Sequence, residues 1–120
     1  MALASEMVAG GLFASTAESI NGRIENGITA AGTTQATAYQ LTKSISIIGT
    51  AAASSGVILP VNCGHSDVLR VKNEGANAAT VYPPVGGTID GGAANAGVSV
   101  AVAAGVTLVC VDNGLTFHTL

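Results

Sequence analysis

Within five consecutive positions, Cys63-Gly64-His65-Ser66-Asp67, the chain gathers a thiol, an imidazole, a hydroxyl and a carboxylate. A nucleophilic cysteine needs a base within hydrogen-bond reach and a third group to orient that base. Side chains that are neighbours in sequence diverge, so this cluster predicts a polar loop between two strands and no catalytic residue. A second arrangement adds Cys110 and His118 to Cys63 and His65, nominally a Cys2His2 set of the right number and kind for zinc. The spacing fits no zinc finger, because Cys63 and His65 are too close and Cys110 lies in an apolar run where a buried free thiol is ordinary. No metal is expected. A Cys63–Cys110 disulfide is allowed by count, but nothing in the chain marks an oxidising compartment, and both are read as reduced core thiols.

The other motifs carry no chemistry. Gly86-Gly87 and Gly91-Gly92 lack the lysine and strand–helix context of a phosphate loop. Asp67, Glu74, Asp90 and Asp112 are too scattered to pair as acid and base. With no Trp and only Phe13, Tyr39, Tyr82 and Phe117 as aromatics, neither a sugar platform nor a base-stacking surface is well supplied. The two tyrosines read as covers for sheet edges. No cofactor is implied.

Composition narrows the classes further. Of 120 residues, 48% are hydrophobic and only 9% charged, against about 25% charged in average proteins. A net charge of -3 with four basic residues argues against nucleic acid, where phosphate counterions must be replaced across a footprint. A mean hydropathy of +0.54 leaves too few polar side chains to cover one small domain, which predicts a self-associated or assembled protein. The charge-free stretches 44–66 and 91–111 are broken by Gly, Pro, Asn and Ser too often for a membrane helix. The N-terminus lacks the basic region of a signal peptide, and Glu6 interrupts its apolar run.

Elements that would position these residues follow from the pattern. Residues 1–26 read as an N-terminal arm, with Ser15-Thr16-Ala17-Glu18 as a capping box for a short helix over Thr16–Arg23. Residues 27–120 read as a β-domain. Candidate strands are Thr37–Thr42, Ser44–Ile48, Gly56–Leu59, Val68–Lys72, Ala79–Tyr82, Thr88–Ile89, Val98–Val102, Val106–Val111 and Leu115–Leu120, each bounded by Gly, Asn or Pro. Alternation points Leu69, Val71, Leu115 and Phe117 inward, with Val98, Val100 and Val102 sharing one face. Val106–Val111 is apolar on both faces, as in a doubly buried or interface strand. Asn113-Gly114 signals a two-residue hairpin. Gly56-Val57, Gly97-Val98 and Gly105-Val106 each open a strand, at spacings too irregular for a solenoid, and read as hairpin strands after glycine turns. The fold class expected is all-β: a small antiparallel sandwich or barrel, jelly-roll-like, behind the arm.

Five segments carry a family resemblance: Gly27-Ile-Thr-Ala-Ala-Gly-Thr-Thr-Gln-Ala-Thr-Ala38, Leu41-Thr-Lys43, Gly56-Val-Ile-Leu-Pro60, the run from Val68-Leu-Arg-Val-Lys to Ala79-Thr-Val-Tyr-Pro83, and Phe117-His-Thr-Leu120. Over residues 27–120 the chain resembles the small cement, decoration or head-fibre structural proteins of tailed bacteriophages. The resemblance implies a compact homotrimeric β-domain on the capsid exterior, partnered by the major capsid protein, made in the host cytoplasm and without enzymatic activity. A tail, baseplate or fibre component is the alternative, and a small-ligand or glycan-binding module a further one.

Overall fold

The computed structural model describes residues 24–112 and 114–120. Ten strands occur among them: β1 (Ile24–Thr29), β2 (Tyr39–Gln40), β3 (Ile45–Thr50), β4 (Gly56–Ile58), β5 (Val68–Asn73), β6 (Ala79–Tyr82), β7 (Thr88–Ile89), β8 (Val98–Val100), β9 (Gly105–Cys110) and β10 (Thr116–Thr119). They form a six-stranded sheet, β1-β3-β5-β9-β10-β7, and a four-stranded sheet, β2-β4-β6-β8. Through β9 the chain alternates between the sheets at every step. Successive strands of one sheet therefore stack parallel, β1 on β3 on β5 and β2 on β4 on β6, since the return path runs through the other sheet. Antiparallel pairing enters late, where β8 meets β6 and β9 lies between β5 and β10.

The all-β class stands, but the strands wind from one sheet to the other in solenoid-like stacking and form mixed sheets, where hairpins in an antiparallel sandwich or barrel were expected. The irregular Gly-Val spacing did not exclude this winding, because the connections carry the chain across to the other sheet. Gly56 opens a strand with parallel neighbours on both sides, and β9–β10 is the one sequential hairpin among the described residues. A further strand, β1, starts at Ile24 and runs across the boundary drawn at residue 27. The helix expected over 16–23 lies outside the described residues. The 37–42 strand shrinks to Tyr39–Gln40 because the Thr37 hydroxyl accepts the backbone N–H groups of Thr33 and Thr34, folding Gln35–Thr37 into a 3-10 turn.

One core fills the space between the sheets. From the larger sheet come Ile28, Ile48, Leu69, Val71, Ile89, Leu108, Cys110 and Phe117; from the smaller come Val57, Ala79, Val81 and Val100, joined by Leu41 and Leu59 at strand ends. Leu69, Val71 and Phe117 point inward as alternation requires, and Val100 with them. Val102 does not, because β8 stops at Val100 and a turn closed by Ala104 N–H on the Ala101 carbonyl follows. Leu115 is 46% exposed, in a loop. The Asp112 carboxylate accepts the N–H groups of Leu115 and Thr116, and Val111 N–H bonds the Thr116 carbonyl. These bonds close the β9–β10 connection between Val111 and Thr116; Asn113 of the expected Asn113-Gly114 turn lies outside the described residues. β9 buries Leu108 and Cys110 fully while Val109 faces outward half-exposed, so only one of its faces is core.

Candidate functional site

The Cys63–Asp67 cluster forms the expected loop ahead of β5, and it packs on the end of β9. The side chains of His65 and Asp67 bond backbone. Asp67 accepts Gly64 N–H at 2.8 Å, closing a tight turn, while Ser66 N–H donates to Cys110 carbonyl at 2.7 Å and Cys110 N–H to Asp67 carbonyl at 2.9 Å. The His65 ring, exposed, donates from Nδ1 to Val111 carbonyl at 3.0 Å. Asn62 and Ser66 adopt positive φ, which such short polar residues tolerate. The arrangement staples the loop to the β9–β10 hairpin and aligns no base with the thiol.

Cys63 differs from its loop neighbours. It is buried and free, as is Cys110. Its thiol donates to Pro60 carbonyl at 3.4 Å, and burial pushes its pKa up to about 11, with Cys110 and Asp67 adding to the rise. Such a thiol stays protonated and is a poor nucleophile. The Cys110 thiol donates to Asp112 carbonyl at 3.2 Å. Gly114, at φ +95, presses on Cys63: a Cβ there would stand 2.9 Å from the Cys63 carbonyl oxygen. Only glycine fits. Cys63, His65 and Cys110 share this corner, but His118 stands away from it on β10, its Nδ1 3.7 Å from Asp90. No group of three or more metal-ligating side chains converges among the described residues.

The scattered carboxylates divide by role. Asp112 takes the Thr116 hydroxyl at 2.6 Å and Asp90 the Thr119 hydroxyl at 2.7 Å, and these bonds lower both carboxyl pKa values. Tyr39, on edge strand β2, donates to the Glu25 carboxylate and so links the first strands of the two sheets; that bond raises the tyrosine pKa. Tyr82 covers no edge: β6 is an inner strand, and its ring lies over Gly56 and Gly97, filling the space their absent side chains leave. Two features escaped the pattern. Asn73, fully buried, ties β5 to β8, and the only local signal is the Asn73-Glu74-Gly75 turn phrase. The outer face of the larger sheet gathers Ile45, Ile47, Val68, Arg70, Lys72 and Val109, which only strand pairing brings together.

Fold and corner define an all-β protein of two stacked sheets whose polar loop groups serve its own backbone. Among the described residues no helix is long and apolar enough to cross a membrane. No protein-family model matches the chain, and no curated protein matches it.

Proposed function

We propose that the chain is a non-enzymatic virion structural protein, a cement protein that binds the outside of a bacteriophage head as a homotrimer and stabilises contacts between major capsid proteins. The observation that supports this reading is the corner at Cys63, His65, Asp67 and Cys110, whose polar groups bond local backbone, as in a structural loop. The resemblance over residues 27–120 supplies the setting. We read the two sheets around one core as a wound form of sandwich, a stiff body of small footprint. Bound across a seam of the shell, such a body stabilises the assembled state by mass action. Three copies acting together multiply weak contacts through effective concentration.

The test is co-sedimentation of the purified protein with phage heads that lack it. The expected result is saturable binding at a fixed ratio to the major capsid protein, with heads resisting heat better when occupied. Failure to bind heads, with binding to tails or to a glycan array instead, overturns the reading.

A further inference from the structure

Parallel sheets normally have both faces covered. Among the described residues, the parallel half of the larger sheet has only one. On its outer side Ile24 pairs with Ile45 and Ile45 with Arg70, Ile47 pairs with Lys72, and Val68 pairs with Val109. Ile24 is 51% and Val68 43% exposed. Lys43, Arg70 and Lys72, the lysines and arginine among the described residues, all stand exposed on or beside this face, and none has a carboxylate of the described residues within ion-pair distance. An apolar centre with charged flanks is the anatomy of a protein contact.

The opposite charge lies at the far side of the same sheet. Asp90 follows β7 and Asp112 precedes β10, both exposed. Each carboxylate is fixed in place by hydroxyl and N–H donors of Thr119 or Thr116, so little side-chain freedom is lost when a cation meets it. We propose that the β3–β5 half of this face, centred on Ile45, Ile47, Val68, Arg70 and Lys72, receives the β7–β10 edge of a second copy carrying Asp90 and Asp112. The two surfaces differ, so the contact is heterologous; such a contact forms a ring when its rotation closes, and the trimeric reading requires closure after three copies. The assignment rests on the trimeric reading given above and names its interface. Nucleic acid fits this face less well, because it offers three cations and no aromatic platform.

Native mass spectrometry and sedimentation equilibrium on the full chain test the assignment. The unaltered protein is expected to be a trimer that weakens as salt rises. Arg70→Glu with Lys72→Glu, both on exposed strand positions, should keep the β-type circular dichroism and raise the dissociation constant by about tenfold or more. Asp90→Asn with Asp112→Asn should weaken the trimer in the same direction. A trimer indifferent to the Arg70/Lys72 exchange places the interface elsewhere and leaves the trimeric reading standing. A monomer at micromolar concentration overturns both. Binding of a DNA duplex or anionic vesicles through Arg70 and Lys72, without self-association, also overturns the proposal.

Discussion

The Asn73 side-chain amide donates to the Val100 carbonyl at 3.0 Å, joining the end of β5 in one sheet to the end of β8 in the other. The same amide reaches the Asn77 carbonyl at 2.9 Å, and its oxygen accepts Gly75 N–H at 2.9 Å. The backbone of Asn73 is engaged too, its N–H donating to the Ala104 carbonyl and its carbonyl accepting the Ala103 N–H. A fully buried polar side chain whose every bond is met rigidifies its surroundings, because the alternative partners are absent from an apolar interior.

Asn73→Ala is therefore expected to destabilise the protein by roughly 2–4 kcal/mol, since it strands the buried Val100 carbonyl and Gly75 N–H and frees the part-buried Asn77 carbonyl. Urea unfolding followed by circular dichroism measures this. A loss of only a few tenths would mean that water replaces the amide.

Ala103 adopts φ +66 in the turn after β8, a conformation costly for a residue with a Cβ. Ala103→Gly should relieve that cost and raise stability by about 0.5–1 kcal/mol, after allowing for the greater freedom of glycine in the unfolded chain. A lower melting temperature for this variant would contradict the turn geometry.

Asp90 and Asp112 have carboxyl pKa values lowered below 3.8 by their threonine donors. A depressed folded-state pKa contributes stability that is present above 3.8 and lost as pH falls through the lower folded values. Melting temperature should hold through mildly acid pH on account of these groups and drop below that point. In Asp90→Asn with Asp112→Asn the acid-side drop should be shallower.

With its pKa near 11, Cys63 holds only about one thiolate per thousand molecules at pH 8. Iodoacetamide should leave both cysteines unmodified in the native protein and alkylate them in urea, as read by mass. Cys110→Ser should cost less than about 1 kcal/mol, because the new hydroxyl inherits the Asp112 carbonyl. Rapid native alkylation at Cys63 would show that the corner opens.

Much of the architecture was legible residue by residue. Ala79–Tyr82 and Thr88–Ile89 appear where alternation and turn residues placed them, and Leu69, Val71 and Phe117 fill the core. Local competition hid other features: Thr37 turned its own segment into a 3-10 turn, and Asp112 kept Leu115 out of β10. The loop nature of residues 63–67 was readable, but the burial of Cys63 was not, since it depends on the approach of Gly114 from a distant hairpin.

By itself the sequence determined the β character, the inward positions of strands with clear alternation such as β5, and the shortage of charge, because strand periodicity and composition are local properties. The tertiary structure decided which strands meet. Whether a turn returns the chain to the same sheet or sends it across to the other depends on what waits there to be buried, and that choice made the pairing of β1, β3 and β5 parallel. It also set Ile45 beside Arg70 and Val68 beside Val109. A surface assembled from distant segments exists only once those segments are paired, so no window of the sequence contains it.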